Sequence, residues 1–191
     1  MKIFKVIIIA LIIPAIGACG IKIVKKYQDP LSAQEHIQLG VAYEEKGELD
    51  GAAEQYRLAI KKDDRAPDAY VYLGNVMLDQ GRYDDARHAY QRALELTPGN
   101  PDVMNNLAWA LMKTHKPDEA RTYATMAVNK GGTRKYAYLD TLGMIQLQLG
   151  DVSGARRSFA LALSLAPRDK SIRGEIEDHL KHAQTPSGTG L

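Results

Sequence analysis

A repeat of 34 residues constrains this chain more than any other feature. Comparing the sequence with itself at that offset pairs Leu39 with Leu73, Gly40 with Gly74, Gly47 with Gly81, Asp50 with Asp84, Ala52 with Ala86, Tyr56 with Tyr90 and Ala59 with Ala93. The same step reaches Leu107, Asp118, Ala120 and Ala127. One residue is then inserted, and Leu142, Gly143, Gly150, Ala155, Phe159 and Ala162 resume the pattern. Each unit reads as two helices joined at glycine. Gly47, Gly81 and Gly150 stand where the first helix must stop, and glycine takes a left-handed backbone there without a Cβ clash. Asp50, Asp84 and Asp118 open the second helix, where a carboxylate is expected to bond free backbone N–H groups. Ala52, Tyr56 and Ala59 share one face of that helix at helical spacing, and the aromatic is expected to fill the gap between adjacent repeats.

This spacing resembles the tetratricopeptide repeat (TPR), a 34-residue helix–turn–helix unit whose copies stack into a solenoid. The resemblance implies an all-α, right-handed solenoid of about four hairpins plus a C-terminal capping helix. The expected repeats are 33–66, 67–100, 101–135 and 136–169. Residues 170–183 carry Ile172, Ile176 and Leu180 as one apolar stripe on a charged helix, as a terminal cap requires. Residues 184–191 lack apolar content and are expected to be disordered. The third repeat departs from the pattern, with Ala108 for glycine, His115 at the turn and Ala124 for the aromatic. With the insertion near Gly131-Gly132-Thr133, this predicts a looser joint between repeats three and four.

The N-terminus reads as an address. A basic start (Met1–Lys5), an apolar run (Val6–Ile13) and small residues before Cys19 describe a secretory signal peptide over 1–18. A transmembrane anchor is the competing reading, but the uncharged run Val6–Ile21 spans 16 residues and contains Pro14, whereas a bilayer core needs about 20. Ile16-Gly17-Ala18-Cys19 resembles the bacterial lipobox. That resemblance implies lipidation of Cys19, palmitate included, and cleavage before it; Gly20 favours the outer membrane. A core cysteine is the remaining alternative. Residues 19–32 then form a tether, whose Lys22, Lys25 and Lys26 either meet anionic headgroups or are simply solvated.

Composition narrows the function. Lys2 and Lys5 account for the whole net charge of +2, so the rest has no basic surplus for nucleic acid. One cysteine excludes an internal disulfide framework. No phosphate-binding loop, dinucleotide fingerprint, zincin motif or nucleophile elbow occurs, so no catalytic residue, cofactor or metal ligand is assigned and the chain is not expected to be an enzyme. Glu175, His179 and His182 share a helix face, which is either a loose metal site or a solvated face.

The TPR pattern places the first helix of each repeat along a concave groove. Its groove positions are expected to include Gln38, Val41, Tyr72, Asn75, Asn105, Asn106, Trp109, Met112, Asp140 and Met144, with Ile37, Thr141 and Leu147 among the rest. The amides suit an extended peptide backbone, and Trp109 and Tyr72 are the kinds of residue that anchor interfaces. The alternative is that many of them only complete helix packing. Chaperone-binding members of the family grip a terminal carboxylate with basic residues, whereas this chain has Ile37 and Val41 there. A neutral or basic, partly apolar segment suits this groove better. The chain also resembles bacterial TPR lipoproteins, which include pilotins and adaptors for periplasmic proteases. The expected function is a lipid-anchored periplasmic scaffold binding an envelope protein or peptide segment, supporting pilus or exopolysaccharide assembly or secretion. A self-assembling structural protein is the rival reading, with Tyr70, Tyr83, Tyr123, Tyr136 and Tyr138 as exposed aromatic surface of a homo-oligomer.

Overall fold

The computed structural model describes residues 29–184. The segment expected to be a signal peptide, Cys19 and the expected tether up to residue 28, like the expected tail from residue 185, lie outside the described residues. Within them the chain forms nine helices and no strand. They are α1 (Ala33–Glu44), α2 (Leu49–Lys62), α3 (Pro67–Asp79), α4 (Tyr83–Leu96), α5 (Pro101–Lys113), α6 (Pro117–Lys130), α7 (Lys135–Gln148), α8 (Val152–Leu165) and α9 (Lys170–Gln184). Consecutive helices pack as hairpins, and each hairpin stacks on the next, so the fold is the expected all-α TPR solenoid. Gln184, expected in the tail, is instead the last residue of α9.

All four hairpins turn the same way. Glu48 N–H donates to the Tyr43 carbonyl, Arg82 to Met77, Lys116 to Leu111 and Asp151 to Gln146, at 2.8–2.9 Å. This six-to-one bond needs a left-handed residue just before the donor. Gly47, Gly81 and Gly150 supply it with φ of 74°, 72° and 79°, and His115 adopts it at 57° despite its side chain. The third turn therefore keeps the family geometry without the glycine.

Helix starts differ from expectation. Ser32 caps α1 in a reciprocal box with Glu35, but Asp50, Asp84 and Asp118 do not cap their helices. Each lies inside the first turn, beyond the capping position. Asp84 pairs with Arg87 and Asp118 with Arg121, while Asp50 accepts from Gln80 Nε2 of the neighbouring repeat at 2.8 Å. Their charge still favours the helix N-terminus. Asp151, which the spacing did not single out, caps α8 instead, accepting from Gly154 N–H at 2.8 Å.

The aromatics also act differently. Tyr56, Tyr90 and Phe159 are fully buried, and each ring lies against the glycine of its own repeat. A Cβ built on Gly74 would fall 2.6 Å from Tyr90 Cε1, and Gly40 and Gly143 meet Tyr56 and Phe159 in the same way. The ring thus locks a hairpin shut, rather than filling only the gap between repeats. In the third repeat the corresponding positions are Ala108 and Ala124, both fully buried. One methyl enters where a ring leaves, so the substitutions compensate each other. The predicted loose joint is also bridged: Tyr138 Oη donates to Asp102 Oδ1 at 2.8 Å, and Arg134 Nη1 donates to the same carboxylate at 3.1 Å. Burial, and then that carboxylate, push the Tyr138 phenol up to about 12, so it remains a donor at neutral pH.

The last helix is held by Ile176 and Ala183, which are buried among Leu139, Phe159 and Ala162. Arg156 Nε donates to the Ala183 carbonyl at 2.8 Å, and Arg173 Nη1 to the Leu163 carbonyl at 2.9 Å. Asp169 Oδ1 accepts from Ser171 and Ile172 N–H at 2.9 and 3.0 Å, closing the N-terminal turn.

Candidate functional site

The odd-numbered helices contact one another in sequence, α1 to α3 to α5 to α7 to α9. They form one continuous face, the inner wall of a stacked-hairpin solenoid. The candidate residues divide along it. Gln38 is exposed on α1, and Val41 is half-buried against the core. Tyr72 stacks on Tyr56 of the preceding repeat, with ring centroids 5.4 Å apart. The Tyr56 hydroxyl in turn donates to Glu44, and burial and that carboxylate push its pKa far above the ordinary phenol range.

The central amides are tied to each other. Asn75 Oδ1 accepts from Tyr90 Oη at 2.8 Å and from Asn106 Nδ2 at 3.3 Å. Asn75 therefore offers its amide nitrogen, and Asn106 its carbonyl, to anything lying in the groove. Asn105 is half-buried, and its Oδ1 is enclosed without a hydrogen-bond partner. Burial of Tyr90 leads the rise in its pKa, with Asp79 adding to it; the phenol stays protonated and keeps this ladder oriented.

Not every candidate faces the groove. Met112 is 7% exposed and belongs to the main core. Ile37 and Leu147 are likewise buried, whereas Thr141, though largely buried, still borders the recess described below. The physical reason is common to Met112, Ile37 and Leu147. A helix packed against both its hairpin partner and its neighbours buries more than half its circumference, so positions at the edge of the inner face turn into the core. Met144 is half-buried between two core clusters. Of the tyrosines suggested for self-association, Tyr138 is buried, and Tyr70, Tyr83, Tyr123 and Tyr136 are half-buried rather than exposed.

At the C-terminal end the face closes into a recess of about 290 Å³ between α5, α7 and α9. Trp109, Tyr136, Ala137, Asp140, Thr141, Ile172, Glu175, Ile176 and His179 line it. Asp140 Oδ1 lies 2.9 Å from His179 Nδ1, and this hydrogen bond is the main reason the imidazole pKa is raised. Glu175, His179 and His182 do not form a metal set: His179 turns to Asp140, and no group of three or more ligating side chains is found among the described residues. Sequence reasoning identified Trp109 and Asp140 but missed Tyr136, Ile172, Glu175, Ile176 and His179 as their neighbours. The available signal was the single face of α9 carrying Ile172, Glu175, Ile176 and His179 at helical spacing.

The raised pKa of His179 has a direct consequence for α9. The pair stabilises docking fully below the ordinary histidine value, and that contribution is lost as pH rises through the higher folded value. Amides of 172–183 are therefore expected to exchange more slowly, relative to the rest of the chain, at about pH 5.5 than at about pH 8.5. Asp140→Asn should remove most of that difference; a difference unchanged in this variant would exclude the pair as its source.

Tetratricopeptide repeat models match residues 22–70 and 37–101, then 77–139, then 136–169. No curated protein matches the sequence. Among solved structures, the chain is similar to PilF of Pseudomonas aeruginosa, with 25% identity and a TM-score of 0.68, over 80% of this chain and 69% of that one. It is also similar to PilW, described as a widely conserved type IV pilus biogenesis factor, with 18% identity and a TM-score of 0.71, over 82% of this chain and 72% of that one. YrrB, described as a TPR protein with an unusual peptide-binding site, superposes with 22% identity and a TM-score of 0.62, over 82% of this chain and 80% of that one.

Proposed function

The chain belongs to the tetratricopeptide repeat family, and on that premise we propose that it is a lipid-anchored scaffold of the bacterial envelope. It holds an extended segment of another envelope protein along α1, α3, α5 and α7. The observation that carries this reading is the chemistry of the inner face. Half-buried Tyr72 and Trp109 alternate with the half-buried amides of Asn75, Asn105 and Asn106, of which Asn105 keeps an enclosed carbonyl without a partner. A peptide backbone satisfies such amides, and aromatic residues supply contact area at small entropic cost.

Carboxylates of Glu44, Glu45, Asp68, Asp79 and Asp140 accompany this face, which suits a neutral or basic segment. The lipobox-like Ile16-Gly17-Ala18-Cys19 supports anchoring at the outer membrane, with the repeats on the periplasmic side. A role in pilus assembly is preferred to one in exopolysaccharide export because PilW, whose fold this chain shares, is described as a type IV pilus biogenesis factor. Such a scaffold works by raising local concentration at the membrane.

Photo-crosslinking in the native envelope tests the groove. A crosslinker at Gln38 or Trp109 on the inner face should capture a partner, whereas one at Leu161, exposed on α8, should not. Capture of the same partner from both faces, or from Leu161 alone, would show that the groove is not the binding surface.

A further inference from the structure

The recess closed by α9 has a chemistry distinct from the rest of the inner face. Its lining is aromatic at Trp109 and Tyr136 and aliphatic at Ala137, Ile172 and Ile176. Two carboxylates, Asp140 and Glu175, open onto it, and neither lysine nor arginine lines it. Glu175 is exposed and forms no ion pair among the described residues, though its charge also helps raise the pKa of His179. Asp140 shares one oxygen with His179. With the imidazole protonated, the lining still carries one net negative charge; with it neutral, two.

The chain itself shows what the indole accepts. Lys113 Nζ rests 4.9 Å from the centroid of the Trp109 ring, within the distance at which an ammonium is attracted by an aromatic face. Lys113 is exposed at the end of α5, so it can yield that place or share the ring. A volume of about 290 Å³ lies just below the range that encloses a drug-sized ligand, but it accommodates one long side chain.

We propose that this recess receives a lysine or arginine side chain of the segment bound in the groove. The alkyl stem lies along Ile172, Ile176 and Ala137, the cationic head meets Glu175 and Asp140, and Trp109 covers it. Long basic side chains divide in this way between apolar stem and charged head. The assignment rests on the groove reading above and adds a register to it: the basic residue of the client sits at the α5–α7–α9 end.

The experiment uses the full chain and Trp109, its only tryptophan, as a fluorescent reporter. The probe is an acetylated, amidated alanine pentapeptide with lysine at its centre, compared with the same peptide carrying norleucine. The lysine peptide should perturb Trp109 emission saturably and bind about tenfold more tightly than the norleucine peptide. Glu175→Gln removes an exposed charge without touching the core, and should bring the lysine peptide within about threefold of the neutral one, leaving the latter unchanged. Trp109→Phe, followed by amide shifts of Ala137 and Thr141, should weaken lysine binding while the helical spectrum stays intact. Equal affinities for the two peptides, or a lysine preference undiminished in Glu175→Gln, would overturn the proposal. If that happens while Gln38 still crosslinks a partner, only the recess assignment falls. If crosslinking from the inner face fails as well, the groove reading falls with it.

Discussion

Phe159→Ala should destabilise the array by about 3–5 kcal/mol, the usual cost of removing a buried aromatic. The ring is fully buried, and it covers the backbone of α7 so closely that a Cβ on Gly143 would lie 2.7 Å from Phe159 Cδ1. Alanine leaves a hole that α7 and α8, each held by other contacts, cannot close. The same ring packs 5.6 Å from the His179 imidazole, so α9 should lose support along with the hairpin. Urea unfolding followed by far-UV circular dichroism measures the loss.

The third repeat predicts how to reverse part of it. There Ala108 and Ala124 replace the glycine and the aromatic together, and both are fully buried. Adding Gly143→Ala to Phe159→Ala should therefore recover about 1 kcal/mol or more, since the new methyl enters the vacated space and alanine favours the helix over glycine. Gly143→Ala alone should instead destabilise by about 1–3 kcal/mol, because the ring is still there. A double variant destabilised by the sum of the two single effects would show that the ring and the glycine are not a coupled pair.

The second large effect concerns anchoring. Wild type should fractionate with membranes and incorporate labelled palmitate, whereas Cys19→Ala should lose the label and appear in the soluble fraction. Each buried methylene contributes about 0.8 kcal/mol, and a lipoprotein's two or more acyl chains make attachment stable. Without the thiol, the diacyl group proposed for Cys19 would have no attachment point. Equal labelling of the two proteins would refute lipidation at Cys19. A variant that stays on the membrane without label would point to the uncharged run before it as the anchor.

Much of the fold was legible because its determinants are local or strictly periodic. The 34-residue period, the turn glycines and the stripe of Ile172, Ile176 and Leu180 depend on positions close in sequence, where helical spacing makes geometry predictable. The departures share one cause. Asp50, Asp84 and Asp118 were expected to cap because of their residue type, yet a cap depends on which residue leaves the helix first, and here that is two positions earlier. His115 was read as a break in the pattern. The Lys116–Leu111 bond and the packing on both sides nevertheless impose the left-handed turn.

The candidate site divides along the same line. Residue chemistry singled out Trp109, Asn106 and Asp140, since indoles, amides and carboxylates have few uses on a packed helical face. Their company was not legible. Met112 and Leu147 turn inward because inner-face residues at the margin touch two neighbours at once, and that depends on how far each hairpin is rotated on the next. The recess draws on α5, α7 and α9, whose contributing residues are dozens of positions apart, and Glu175 and His179 acquire meaning only once α9 docks. Repetition and residue type thus dictate short-range order, while the angle at which hairpins stack selects which side chains share a cavity. That angle arises from the summed packing of many weak contacts, which no single stretch of residues encodes.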